Sequence, residues 1–192
     1  MAAFTQDISE WHEDLKYLAI RLVKDEGIWK YDGQNESFIV ENDMEGLKLP
    51  QRFKIISNVG LEILTKAVCI KRSIDIFRPQ NATVNQNSPF GVAGVVASKN
   101  PWLQSMVQTH GYQHLGDINT IEFYQCINLL KNNLQQAVTL KNYDKLMDDI
   151  NEWRKFHRNT EVHLSLPLMF TNEYENTLRE LYNGLLEIYK IA

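Results

Sequence analysis

Cysteine is scarce in this 192-residue chain: Cys69 and Cys126 are the only two. Two thiols cannot build the framework that staples small secreted domains, and both fall inside apolar helical patterns, where they read as buried thiols in a reducing compartment. Long apolar runs are missing too. None approaches the roughly 20 residues that cross a bilayer, and Asp7, Glu10, Glu13 and Asp14 near the start carry the wrong charge for a secretory signal. A cytoplasmic location without membrane contact is the expectation. Positive charge is also short: the formal net charge is -4, which argues against a protein that coats nucleic acid by electrostatics alone.

The common catalytic signatures are absent as well. The sequence holds no GxxxxGK[ST] or GxGxxG to cradle phosphates, no CxxC pair, no HExxH and no Glu-x-x-His pair of the kind a di-iron bundle needs. His110 and His114 have the i, i+4 spacing of metal ligands, but Gly111 interrupts the helix that spacing requires. No metal and no cofactor is expected.

What is present is ordinary globular composition, 44% hydrophobic and 23% charged, with strong helical periodicity. Ile8, Trp11, Leu15, Leu18 and Leu22 predict a helix from about Asp7 to a C-cap at Gly27, with His12 on its surface. Residues 27–50 lose that period and read as a loop, although Ser37 to Val40 has extended character. Phe53, Ile56, Gly60, Ile63, Ala67, Ile70, Ile74 and Phe77 form one continuous stripe, widened by Leu61, Leu64 and Val68. They predict a central helix that Pro79 stops. Residues 79–116 read as an irregular insertion with a short helix after Asn100-Pro101, long enough to suggest a lid, a binding loop or an interface. Three further helices are predicted: from Asp117 through Ala137, from Tyr143 through Trp153, and from Asn172 onward with Glu175 at capping spacing. The fold class is all-α: residues 1–192 as a single domain, an antiparallel helical bundle of four to six helices with one long irregular connection.

Charge is unevenly spread. Acids crowd residues 1–49, whereas Arg52, Lys54, Lys66, Lys71, Arg72 and Arg78 outnumber Glu62 and Asp75 in the next stretch. That pattern fits either a local basic surface or a solvated helix face.

The chemically informative segment is Arg158-Asn159-Thr160-Glu161-Val162-His163. Arg offers a permanent charge and a planar fork of donors to a phosphate, His moves protons near neutrality, and an Asn amide can orient either. On an ideal helix Arg158 and His163 stand about 140° apart, so joint action needs a local departure from α geometry. His157 falls on the stripe that follows Trp153 and reads as a core-edge histidine. Glu62 and Lys66 also have the spacing of a plain helix-surface ion pair.

This arrangement resembles the HEPN family of small helical proteins, whose hallmark is an Arg, four to six residues, then a His, with a polar residue directly after the Arg. Gly60-Leu61-Glu62-Ile63-Leu64-Thr65-Lys66-Ala67 is similar to the Gly-x-Glu-x-Leu-x-Lys-Ala pattern of a core helix in that family. The resemblance implies a metal-independent endoribonuclease in which a 2′-hydroxyl attacks the adjacent phosphate. It implies His163 as general acid/base, Arg158 stabilising the phosphorane, Asn159 positioning and Glu62 assisting. It further implies RNA as substrate, a homodimer, and a role as a toxin or antiviral defence effector held by an antitoxin or nucleotidyltransferase partner. The same resemblance admits a non-catalytic module that binds a nucleotide, an RNA or a protein.

Overall fold

The computed structural model describes residues 11–40, 50–72, 74, 76–79, 118–134, 143–158 and 172–191. These form five α-helices: α1 (Trp11–Lys24), α2 (Gln51–Lys71), α3 (Phe123–Leu134), α4 (Tyr143–Trp153) and α5 (Asn172–Lys190). A π-helical turn, Arg154–Arg158, extends α4. Two antiparallel ribbons accompany them among the described residues, β1 (Trp29–Asp32) with β2 (Ser37–Val40) and β3 (Phe77–Pro79) with β4 (Ile118–Thr120). The protein is mostly helical and not purely so. The expected insertion over 79–116 lies outside the described residues beyond Pro79, as do Ile8, Asp117 and Ala137.

The helix α2 is central, as its wide stripe predicts. It is buried nearly all round, and Ser57, Asn58 and Thr65 go into the core with the apolar side chains. Each polar group is satisfied within reach: the Ser57 and Thr65 hydroxyls donate to the carbonyls of Lys54 and Leu61, at 3.2 and 2.8 Å, so burying them leaves no unpaired donor. The helix ends at Lys71, short of the predicted Phe77. The reason lies in a change of period. Ile74 and Ile76 are both buried, two residues apart, which is strand spacing. The N–H of Ile74 donates to the Cys69 carbonyl and closes the helix, and Pro79 pushes Arg78 away from helical geometry. The chain therefore leaves as β3.

Helix α1 packs on α2 through Ala19, Ile20 and Val23. The predicted face is rotated: Leu18 is exposed, because small Ala19 permits the closest approach, opposite Gly60. The helix ends where predicted. Gly27 adopts φ 70°, and its N–H donates to Lys24 O at 3.0 Å, the left-handed C-terminal cap that glycine adopts without penalty.

The segment from 27 to 50, read as a loop, instead contains the β1–β2 hairpin. Its turn is held by Asp32, whose carboxylate accepts from the Gln34 and Asn35 N–H groups at 2.9 and 3.4 Å, an Asx turn. Those bonds, led by that of the Asn35 side chain, hold the Asp32 carboxyl below its usual range. The hairpin drives Trp29 and Phe38 into the core, where they meet Phe53 and Tyr182 with ring centroids 5.2 to 5.6 Å apart. Asn183 fixes the hairpin to α5: its carbonyl accepts from Phe38 N at 2.7 Å and its amide donates to Phe38 O at 3.0 Å. One side chain thus satisfies both backbone groups of an edge residue, which would otherwise remain unpaired.

Helix α3 starts at Phe123, after β4. Its N-terminus is closed by Glu122, whose N–H donates to the Gln125 side chain at 3.0 Å, half of a capping box. Phe123, Ile127 and Leu130 are buried as predicted. So are Tyr143, Ile150 and Trp153 of α4. Glu26 pairs with Arg52 across the end of α1, and Trp153 bonds to Asn58 while Tyr143 lies near Arg72 and Cys69. Accordingly α1 and α4 run against α2. Helix α5 runs with it, touching Asn58 through Tyr174 and Lys71 through Tyr189. Glu175, predicted as part of a cap, is instead a buried carboxylate that accepts from the Trp29 indole and from Arg179.

Candidate functional site

Three helices converge on Asn58. Its side-chain carbonyl accepts the Trp153 indole N–H at 2.8 Å. Its amide donates to Lys54 O at 2.7 Å and to the Tyr174 hydroxyl at 3.2 Å. A fully buried amide with these partners fixes α2, α4 and α5 at one point, since displacing any helix would orphan a buried polar group.

Directly beyond Trp153 the helix widens into the π turn, a feature found mostly as single turns and frequently at functional sites. His157 projects back onto Trp153, with ring centroids 4.2 Å apart, and meets Tyr174 edge-on at 5.1 Å. It is half-buried, as expected of a core-edge histidine. Burial first, and the nearby Lys54 ammonium second, hold its pKa below the ordinary histidine value. Lys54 is itself buried, its ammonium 6.0 Å from the centre of the Tyr174 ring. Phe156 faces outward and is 65% exposed.

A groove of about 510 Å³ opens between the π turn and the first turns of α5. Trp153, Phe156, His157 and Tyr174 supply an aromatic wall, joined by Asp149, Glu152, Glu173 and Glu180, with Lys145 the one cationic residue of the lining among the described residues. Lys145 is already paired to Asp149. The described lining thus carries four carboxylates against one ammonium.

Of the predicted site residues, Arg158 is the last of the π turn; its side chain, Asn159 and His163 lie outside the described residues. Glu62 lies on α2, one turn past Asn58 and about 12 Å along the axis from Lys54. Its carboxylate accepts from Lys66 at 2.8 Å, with both side chains more than four-fifths buried. The i, i+4 pair is therefore formed, in a recess between helices and not on an open face.

Among the described residues, Arg52, Lys54, Lys66 and Lys71 of the basic stretch after residue 50 do not gather into one patch. Arg52 pairs with Glu26 at 3.0 Å, Lys66 with Glu62, Lys54 is buried beside His157, and Lys71 reaches Tyr189 at the other end of α2. Both cysteines are buried thiols. The Cys69 thiol donates to Cys126 O at 3.8 Å, and burial, followed by Cys126, pushes its pKa up, which keeps it protonated and unreactive.

Lys54, Asn58 and Tyr174 were not legible as partners of the π turn, since nothing in their spacing links three separate helices. His12 also departs from the sequence reading: it is half-buried and shares a 2.6 Å hydrogen bond with the Tyr189 hydroxyl. No helix among the described residues is long and apolar enough to cross a membrane. No protein-family model, curated protein or solved structure matches the chain.

Proposed function

We propose that this chain is a cytoplasmic, metal-independent endoribonuclease of the HEPN type, working as a homodimer. Among its described helices α1 and α4 run against α2 while α5 runs with it, directions that an up-and-down helical bundle accommodates. His163 serves as general acid/base, taking the 2′-hydroxyl proton and returning one to the leaving 5′-oxygen. Arg158 balances the charge that builds on the phosphorane, Asn159 orients the phosphate, and Glu62 assists from α2.

One observation carries this reading: the helix that bears the motif departs from α geometry at Arg154–Arg158, ending on the motif's first residue. In α geometry Arg158 and His163 fall on different faces. The chain thus already departs from α geometry where the motif begins, the kind of local departure that bringing Arg158 and His163 together requires. The His157 stack on Trp153 and the Asn58 bridge tie that widened turn to the core, support of the kind a preorganised phosphate site needs.

The test is a mixed RNA pool incubated with the purified protein in EDTA, comparing wild type with His163→Ala and Arg158→Ala. Cleavage by wild type alone, leaving 2′,3′-cyclic phosphate ends, is the expected outcome. Activity shared by all three proteins overturns it.

A second reading is favoured by the groove itself. Four carboxylates beside the π turn repel a phosphate backbone, and that suits a non-catalytic module whose partner is a protein. No cleavage by any of the three proteins, with all folded and dimeric, selects this reading.

A further inference from the structure

A second cavity, of about 390 Å³, opens at the opposite end of α2, between α1, the β1–β2 turn and the last turns of α5. The helix rises about 25 Å from Lys54 to Lys71, so this cavity is separate from the π-turn groove. Its centre is Tyr189. The Lys16 ammonium stands 4.5 Å from the centre of that ring and the Lys71 ammonium 4.1 Å. Lys71 also donates to Tyr189 O at 2.8 Å, and His12 holds the hydroxyl. Burial, then Glu13 and Glu36, push the Tyr189 pKa up to about 12, so the phenol is neutral at physiological pH.

The two ammoniums are not equally matched. Lys16 pairs with Glu36 at 2.6 Å. Lys71 has a main-chain carbonyl and, among the described residues, no carboxylate at ion-pair distance. Burial first, and the Lys16 charge second, pull its pKa down, against the opposing pull of Glu36 and Glu13, so its ammonium is held in the recess without a directly bonded carboxylate. Glu36 is itself held at φ 48°, in the left-handed region that a residue with a side chain enters at a cost. The hairpin turn thus places a left-handed residue where the carboxylate meets Lys16. Tyr17, Ile20 and Tyr31 complete the walls, giving a recess of the size small ligands occupy that sets aromatic and aliphatic surface beside charged groups of both signs.

We propose that this cavity binds a small organic monoanion, a carboxylate on a flat apolar body, with the carboxylate on Lys71 and the body against Tyr17, Ile20 and Tyr31. A single charge is specified because Glu13 and Glu36 line the same recess and repel a second one. Glu36 is the internal competitor: it holds the neighbouring ammonium and sets how much positive potential the ligand meets.

The experiment is titration of the purified full chain with sodium benzoate, followed by amide chemical shifts, with benzamide as the uncharged isostere and inorganic phosphate as the dianionic control. Saturable benzoate binding is expected, with benzamide and phosphate each weaker by about tenfold or more. Lys71→Met should weaken benzoate by a similar factor. Glu36→Gln should tighten it, and Lys145→Met in the other groove should leave it unchanged. Thermal unfolding of each variant, measured alongside, separates loss of the site from loss of the fold. No saturable benzoate binding to wild type, equal binding of benzamide, tighter binding of phosphate, or no gain in folded Glu36→Gln overturns the proposal. None of these outcomes depends on the ribonuclease reading.

Discussion

The Tyr182 hydroxyl occupies the space where a Cβ on Gly60 would sit. Tyr182 is fully buried and donates that hydroxyl to the Ser57 carbonyl one turn earlier on α2, so the phenol cannot move aside without breaking a buried hydrogen bond. Gly60 is thus required by packing. Alanine at this position should gain about 1 kcal/mol of helix propensity and lose about 1–3 kcal/mol to overpacking, for a net destabilisation. Tyr182→Phe removes the obstructing oxygen, so Gly60→Ala should cost less in that background. Urea unfolding of the wild type, both single variants and the double variant measures the coupling directly, and simple additivity would show that the hydroxyl is not the obstacle.

That contact also bears on how far the sequence could be read. Gly60 heads the stretch that resembles a HEPN core helix, yet its packing against Tyr182 accounts for a glycine there without any catalytic role. The helices α4 and α5 were legible because their apolar residues recur at a single period over many turns. The β1–β2 hairpin was not: each strand has four residues, and one fully buried side chain on each, Trp29 and Phe38, carries the core contact, too few to show a period of two. The end of α2 was misjudged because Ile74 fits both a helical stripe and the alternation it forms with Ile76. For the candidate site, local sequence placed Arg158 at a helix end but could not show the widening before it, which depends on His157 finding Trp153 and Tyr174.

The His157 environment makes a pH prediction. A histidine whose folded pKa is depressed binds fewer protons in the native than in the unfolded state. Its contribution to stability is therefore fully present above the unfolded value, about 6.5, and is lost as pH falls through the lower folded value. Urea stability should decline on acidification below about pH 6.5, and His157→Gln should flatten that part of the profile. Burial is the larger cause of the depression, so Lys54→Met should raise the His157 pKa only part of the way, as read from the imidazole Cε1 proton in an NMR titration. A full return to the ordinary value would make Lys54 the dominant cause.

Asn58 ties the π turn to the rest of the fold. Asn58→Ala strips the acceptor from a buried indole N–H and the donor from Lys54 O, at a cost of about 2–3 kcal/mol. The loss should also be local in its dynamics. Amide exchange across 154–158 should accelerate relative to α1, which packs on α2 through Ala19, Ile20 and Val23. Uniform acceleration throughout the chain would mean that Asn58 supports global stability and gives the π turn no special rigidity.

The Trp29 indole and the Glu175 carboxylate form a comparable pair between the hairpin and α5. Trp29 is fully buried and Glu175 nearly so, and the carboxylate oxygen that accepts from the indole also accepts from Arg179 Nε at 3.1 Å. Glutamine in place of Glu175 keeps an oxygen for the indole and forfeits the charge shared with Arg179, which is partly solvated, so the loss should be about 1 kcal/mol. Alanine removes the acceptor altogether and opens a small void beside four packed aromatic rings, and about 2–4 kcal/mol should go with it. The two variants therefore separate hydrogen bonding from charge. Urea unfolding ranks them, and the indole N–H resonance of Trp29 should move upfield modestly with glutamine and much further with alanine. Equal losses for the two variants would mean that the charge on Glu175, not its role as acceptor, anchors the hairpin to α5.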